Sequence, residues 1–131
     1  MAAVYLDASA IVKLVVPEEG SRALAERLGG RRTATTALSR VEVERALRRA
    51  GLPSATIELA GSVLRRIVRI GVDGAILARA AELEPATLRT LDAIHLATAL
   101  SFEEDVEAFV TYDRRLAQAA ERAGLPVESP A

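Results

Sequence analysis

Short, wholly apolar segments alternate along the chain with longer segments in which apolar residues recur every three or four positions. Val4–Leu6 is the first short segment, and Ala108–Tyr112 repeats the pattern near the other end. Such runs are typical of strands buried on both faces of a parallel sheet. Thr33–Thr36 is brief and β-branched and predicts another strand, and Val127 begins a last edge strand.

The longer segments have helical periodicity, and glycine or proline stands where several of them end. The predicted helices run from Ser9 to just before Pro17, over Glu18–Leu28, Ala37–Ala50, Ser54–Ile70, Gly74–Leu83 and Thr90–Ser101, and from Asp113 to Ala123. Alternation of buried strands with helices predicts an α/β fold with a parallel sheet covered on both faces. The functional crevice of such a sheet lies at the carboxyl ends of its strands.

Composition narrows the class of protein. The chain has 131 residues, half of them apolar, which suits one globular domain over residues 1–131. It has no cysteine, so disulfides, thiolate metal sites and cysteine nucleophiles are excluded. No apolar stretch reaches the ~20 residues of a membrane span, and the N-terminus lacks the layout of a secretory signal. We therefore expect a soluble, cytoplasmic protein without membrane contact.

The net charge is −1, so overall charge does not predict a nucleic-acid binder. Of the 17 basic residues, Lys13 is the only lysine and the others are arginines. Arginine makes planar contacts with phosphate and carboxylate. An arginine excess also follows from genomic base composition, so it decides nothing alone.

Asp7 ends the first apolar segment, where a buried and unpaired carboxylate is costly. Asp113 follows the segment Ala108–Tyr112 in the same way. Ser9 stands two residues after Asp7, and Thr111 two residues before Asp113. These hydroxyls can hold a carboxylate in one rotamer, donate to a bound water, or make local turn bonds.

Glu42 and Glu44 lie on different sides of one predicted helix. With Leu38 as origin and about 100° per residue, Glu42 falls at about 40°, at the border of the apolar stripe. Glu44 falls at about 240°, on the far side, where it can pair with arginines of the same helix. Glu42 can therefore point into a cleft, although an ion pair with a neighbouring arginine is an alternative.

Asp92 opens the predicted helix Thr90–Ser101, and His95 follows one turn later. A capping role is an ordinary explanation for Asp92, and equally for Asp113. A lone histidine such as His95 is more often packed or hydrogen-bonded than a ligand.

Together, Asp7, Glu42, Asp92 and Asp113 can converge on one cleft. Like charges at that separation repel unless a cation neutralises them. A hard divalent ion, Mg²⁺ or Mn²⁺, suits carboxylate and water ligands. Such an ion favours phosphodiester hydrolysis.

Four segments resemble the PIN-domain ribonucleases, and among them the VapC toxins of toxin–antitoxin pairs. They are YLDASAIVKL, SRVEVERALRR, LRTLDAIHLATAL and FVTYDRRLAQAAERAGLPV, which occur in the family's order and with similar spacing. The resemblance implies a three-layer α/β/α sandwich with a central, mainly parallel sheet. It also implies a Mg²⁺- or Mn²⁺-dependent endoribonuclease, usually a homodimer. A VapB-like antitoxin would block the active site and anchor the complex to operator DNA.

The family's acidic quartet falls on Asp7, Glu42, Asp92 and Asp113. The resemblance implies that the three aspartates hold the metal and that Glu42 binds it or orients the attacking water. Ser9 and Thr111 match the hydroxyl positions that accompany the quartet. Arg89 and Arg114 are candidates for contact with phosphate or antitoxin.

Three alternatives stay open. A phosphatase with a strand-end nucleophile is disfavoured because Ser9 stands where a second aspartate is expected. A non-catalytic PIN-like binding module is disfavoured because all four acids are present. A stand-alone PIN nuclease in RNA processing or DNA cleavage keeps the chemistry and changes the biological role.

Overall fold

The centre of the structure is one sheet of five parallel strands, in a computed structural model that describes residues 1–131. The strands are β1 (Ala3–Leu6), β2 (Thr33–Thr36), β3 (Val68–Ile70), β4 (Val106–Val110) and β5 (Val127–Glu128). They lie in the order β3-β2-β1-β4-β5, so the chain winds outward from β1 in one direction and then in the other. The direction changes between β1 and β4, and ligands of α/β proteins bind at such a switch point.

Seven helices cover the sheet: α1 (Ala8–Val15), α2 (Ser21–Leu28), α3 (Ser39–Arg49), α4 (Ser54–Arg65), α5 (Gly74–Glu82), α6 (Thr90–Leu100) and α7 (Arg114–Arg122). Successive side chains of a strand point to opposite faces. Val4 and Leu6 accordingly pack against α1 to α4, whereas Tyr5 packs against α6 and α7. The two apolar cores confirm the expected sandwich of helices, sheet and helices. None of the helices has the length and apolar character that crossing a bilayer requires.

The predicted helix Ser54–Ile70 is wrong at its end. Helix α4 stops at Arg65, and Val68–Ile70 forms the edge strand β3, which pairs with β2. Leu64, Ile67 and Ile70 recur every three residues and so continue a helical pattern across the boundary. Strand β3 has only three residues, and Val68 and Arg69 are both exposed. Its sequence therefore lacks the alternation of buried and exposed positions that would predict a strand. Backbone pairing with β2 decides its conformation.

Smaller differences concern element ends. Strand β4 runs over Val106–Val110, so Thr111 and Tyr112 lie beyond it in the turn towards α7. Helix α2 begins at Ser21 because Gly20, the preceding residue, has φ of +89°. In α1, Lys13 is half-buried: its Nζ lies 4.6 Å from the Tyr112 ring centroid and pairs with Glu18.

Gly20→Ala is expected to destabilise the protein. A side chain at φ of +89° is strained, and a Cβ at Gly20 would lie 3.2 Å from the Pro130 carbonyl oxygen. We expect a loss of about 1–2 kcal/mol in the free energy of unfolding, measured by denaturant titration. Gly30→Ala is the matched control, because no atom lies within 4 Å of its added Cβ and its φ is not positive. Equal losses for both variants would contradict this explanation.

Candidate functional site

A cleft of about 420 Å³ opens at the carboxyl edge of the sheet, next to the ends of β1 and β4. Asp7 follows β1, and Asp113 follows the turn after β4. The first turns of α3 and α6 bring Glu42 and Asp92 to the same place. All four acids line this cleft. The structure thus brings together four side chains that lie up to 106 residues apart in the sequence.

Asp7 is held on both of its carboxylate oxygens and is only 3% exposed. Oδ1 accepts hydrogen bonds from Ser9 Oγ at 2.6 Å and from the Ala10 backbone N–H at 2.9 Å, which caps α1. Oδ2 accepts one from Thr111 Oγ1 at 2.5 Å. Burial raises the pKa of Asp7, and the nearby imidazole of His95 and the bonds from Ser9 and Thr111 oppose that rise. The two hydroxyls therefore keep the carboxylate in one orientation.

Besides donating to Asp7, the Ser9 and Thr111 hydroxyls accept hydrogen bonds from backbone N–H groups of the turn after β4. Ser9 Oγ accepts from the Tyr112 backbone N–H at 3.0 Å, and Thr111 Oγ1 accepts from the Asp113 N–H at 3.1 Å. The turn between β1 and α1 is thereby tied to the turn between β4 and α7. The turn bonds and the carboxylate bonds, which the sequence left as alternatives, are both present.

Asp113 combines capping with exposure to the cleft. Its Oδ1 accepts from the Leu116 N–H at 2.9 Å and caps α7, while Oδ2 accepts from Arg89 Nη2 at 2.9 Å. Asp92 does not cap α6, because Arg89 occupies the capping position. Burial raises the pKa of Asp92, and the charge of Asp113 raises it further. These two carboxylates therefore repel each other across the cleft.

Arg89 is the cation placed between these two acids. Besides its bond to Asp113, its Nε lies 3.6 Å from Asp92 Oδ2, yet its side chain remains 72% exposed. An exposed arginine with two acidic partners can be displaced by a competing cation at modest cost. Arg114, the other arginine singled out in the sequence, is exposed and does not line the cleft.

Glu42 pairs with a histidine and not with a neighbouring arginine. Its Oε1 lies 2.7 Å from His95 Nε2, and His95 Nδ1 lies 2.8 Å from the Tyr5 hydroxyl. His95 is buried and hydrogen-bonded, as is common for a lone histidine, and it also lines the cleft. Sequence reasoning did not single out Tyr5. Its hydroxyl could have identified it, because a tyrosine in a strand buried on both faces needs a hydrogen-bond partner for that group.

The donors in the cleft fit a hard divalent cation, because they are carboxylate oxygens. Asp7, Asp92 and Asp113 could hold such an ion, with Glu42 close by. As the side chains stand, no three acidic or imidazole groups converge closely enough to bind one ion together. Arg89 lies against two of the carboxylates and would compete with a cation for their charge.

An apolar groove of about 440 Å³ continues from the cleft along α1 and α3. Val12, Leu38, Val41 and Leu91 contribute apolar side chains, and the groove shares Ser9 and Glu42 with the cleft; Arg45 and Arg49 also line it. Val41 and Leu91 are 57% and 43% exposed, so the groove presents two apolar side chains to solvent. The acidic cleft and the apolar groove therefore form one continuous depression.

Residues 4–122 match the family model of the PIN domain. The chain belongs to this family. It is 44% identical to Ribonuclease VapC35 of Mycobacterium tuberculosis over 135 aligned positions, covering 97% of this chain and 96% of the relative. It is also 44% identical to Ribonuclease VapC46 of the same organism, covering 99% of both chains. These relatives place this PIN domain with the VapC-like members.

Two solved structures share the fold of this PIN domain. One is VapBC2 of Rickettsia felis bound to a DNA fragment from its promoter, with a TM-score of 0.74, 13% identity, and coverage of 98% of this chain and 99% of that one. The other is VapC20 of M. tuberculosis, a toxin that cleaves the sarcin–ricin loop, with a TM-score of 0.72 and 17% identity; the match covers 98% of this chain and 100% of that one. At these identities the likeness supports the fold.

Asp7→Asn is expected to stabilise the metal-free protein at neutral pH by about 1 kcal/mol, because an uncharged amide replaces a buried carboxylate that is kept for function at a cost in stability. Burial raises the pKa of Asp7, so the folded state takes up a proton before the unfolded state does. The wild type therefore gains stability as the pH falls towards the ordinary aspartate range, and the variant lacks this gain. Denaturant titrations in EDTA at pH 7.5 and 5 measure the difference. A gap between variant and wild type that widens on acidification would contradict the assignment.

Proposed function

We propose that this PIN domain is an endoribonuclease, the toxin of a VapBC-type pair, and that it hydrolyses RNA phosphodiester bonds with Mg²⁺ or Mn²⁺. The cleft carries the proposal, because four acids from four separate elements line it at the switch point of the sheet. The choice of RNA as substrate is supported by two proteins named ribonucleases, to which the chain is 44% identical over nearly its full length.

In this proposal Asp7, Asp92 and Asp113 hold the metal, directly or through water, and Glu42 binds it or orients the attacking water. When bound, the ion polarises a phosphoryl oxygen and makes water a stronger nucleophile. Asp7 is a fixed ligand because three hydrogen bonds restrain it. Glu42 would present Oε2 to that water, since its Oε1 is bonded to His95.

Arg89 has two roles in this proposal. In the free protein its guanidinium offsets the repulsion between Asp92 and Asp113. A divalent ion held by these carboxylates would supply the same charge compensation and would leave the Arg89 guanidinium free at the mouth of the cleft. There the guanidinium would contact a phosphate of the RNA, for which its planar donors are suited. Arg114 lies outside the cleft, and its proposed contact is with more distant phosphates or with the antitoxin.

Asp92→Asn is expected to lower the rate of divalent-dependent RNA cleavage by at least about 100-fold, since it removes a charged metal ligand. The measurement is a cleavage time course with Mg²⁺ or Mn²⁺, together with Mn²⁺ binding followed by electron paramagnetic resonance. Asp105→Asn is the control, because Asp105 precedes β4 at the opposite edge of the sheet and its side chain is exposed. Unchanged cleavage and Mn²⁺ binding in Asp92→Asn would overturn the proposed metal site. Cleavage of DNA with equal efficiency would favour the stand-alone nuclease.

The partner proposed for the depression is a VapB-like antitoxin. Apolar side chains of such a peptide fit the groove along α1 and α3, and a basic side chain meets the carboxylates of the adjoining cleft. The structural likeness to VapBC2 of R. felis, which is bound to a fragment of its promoter DNA, supports this assembly and a DNA contact made through the antitoxin. We further propose a homodimer that acts in the cytoplasm.

Val41→Glu is expected to weaken antitoxin binding by about 10-fold or more while RNA cleavage continues, because it places a charge in the apolar groove. Inhibition of cleavage by increasing amounts of the antitoxin measures the effect. Leu59→Glu is the matched control, since Leu59 is 49% exposed on α4 and does not line the groove. Full inhibition of Val41→Glu at wild-type antitoxin concentrations would exclude the groove as the docking surface.

A further inference from the structure

We propose that His95 and Tyr5 are positioning residues that hold Glu42 in its working orientation, a role that rests on the proposed function of Glu42. The three side chains form a hydrogen-bonded chain from the centre of the sheet to the cleft. Tyr5 Oη and His95 Nδ1 are 2.8 Å apart, and His95 Nε2 and Glu42 Oε1 are 2.7 Å apart.

With a neutral imidazole, the chemistry of the groups gives the direction of the two hydrogen bonds. An ionised carboxylate only accepts, so His95 Nε2 carries the proton that is donated to Glu42. The other nitrogen of a neutral imidazole accepts, so the Tyr5 hydroxyl donates to Nδ1. Burial and the nearby charge of Asp7 raise the pKa of Tyr5, which keeps this hydroxyl protonated. Glu42 thus sets the tautomer of His95, and the Tyr5 hydroxyl holds the ring in the orientation in which Nε2 faces Glu42.

Tyr5, the buried end of this series of hydrogen bonds, is held rigidly. The Tyr5 ring is fully buried and stacks on Phe109 with parallel planes and centroids 5.1 Å apart. It also meets the His95 ring edge-on, with centroids 5.8 Å apart. Because β1 and β4 fix both aromatic residues, the imidazole cannot turn without disturbing the core. Glu42, whose side chain is 18% exposed at the start of α3, is therefore anchored through Oε1 with Oε2 left for the cleft.

The first test is spectroscopic and needs neither metal nor substrate. His95 is the only histidine of the chain, so its ring nitrogens give the only imidazole signals in a long-range ¹H–¹⁵N correlation spectrum. We expect metal-free wild-type protein at neutral pH to show a protonated Nε2 and an unprotonated Nδ1. Tyr5→Phe should shift the Nδ1 signal, because it removes the donor to that nitrogen, while Glu42 keeps the proton on Nε2. A proton on Nδ1 in the wild type, or an Nδ1 signal that is the same in wild type and Tyr5→Phe, would overturn the proposal.

The second test is kinetic and uses the two tyrosines of the chain. Tyr5→Phe keeps the buried ring and is expected to lower kcat for RNA cleavage by about tenfold, with KM unchanged. Tyr112→Phe is the control, because its hydroxyl donates to the Pro130 carbonyl and not to the cleft. His95→Gln, which keeps a donor near the position of Nε2, should retain more activity than His95→Leu. Equal activity of these two His95 variants would count against positioning.

A double-mutant cycle separates this proposal from the proposed function. If Tyr5 acts through Glu42, Tyr5→Phe causes no further loss in a Glu42→Gln background. Independent losses would overturn the positioning role and leave the nuclease intact. Wild-type activity of Glu42→Gln would instead remove Glu42 from the proposed function, and the inference with it, whatever the tautomer. Melting temperatures ensure that every variant is assayed in its folded state.

Discussion

The hydrogen bonds of Ser9 and Thr111 to the Asp7 carboxylate are the contacts on which the candidate site depends. Each hydroxyl donates to Asp7 and accepts from a backbone N–H of the turn after β4. The two connections that leave the switch point of the sheet are thereby held together by one side chain. Backbone pairing of β1 with β4 brings the two turns together, and these hydroxyl bonds set the carboxylate between them. The geometry of the cleft thus follows from a contact made almost entirely within buried atoms.

This arrangement concentrates negative charge where water has little access. Burial raises the pKa of Asp7, and burial together with Asp113 raises that of Asp92. Perturbed acids of this kind cluster at functional sites, because a core built for stability alone would avoid them. Arg89 offsets part of the repulsion from an exposed position, so the compensation is easily exchanged for another cation. The raised pKa values of Asp7 and Asp92 thus record how much charge the fold brings together in this cleft.

The fold could be predicted in large part from residue patterns, because buried strands and amphipathic helices have distinct periods. Strand β2 occurs at Thr33–Thr36 as predicted, and most helices differ from their predicted bounds by one to three residues. Strand β3 was missed because it is three residues long, lies at an edge, and exposes Val68 and Arg69. Its pairing with β2 is a contact between segments about 30 residues apart, which no local pattern records.

By itself the sequence determined the class of fold, the positions of Asp7 and Asp113 after buried strands, and the border position of Glu42 on its helix. Periodicity and the cost of burying charge suffice for those conclusions, since both act within a few residues. Only the tertiary structure decided which groups meet in the cleft. Glu42 pairs with His95, 53 residues away, instead of a neighbouring arginine, and His95 in turn meets Tyr5, 90 residues away. Such pairings depend on how the ends of separate elements converge at the sheet edge, which is a property of packing and not of local pattern.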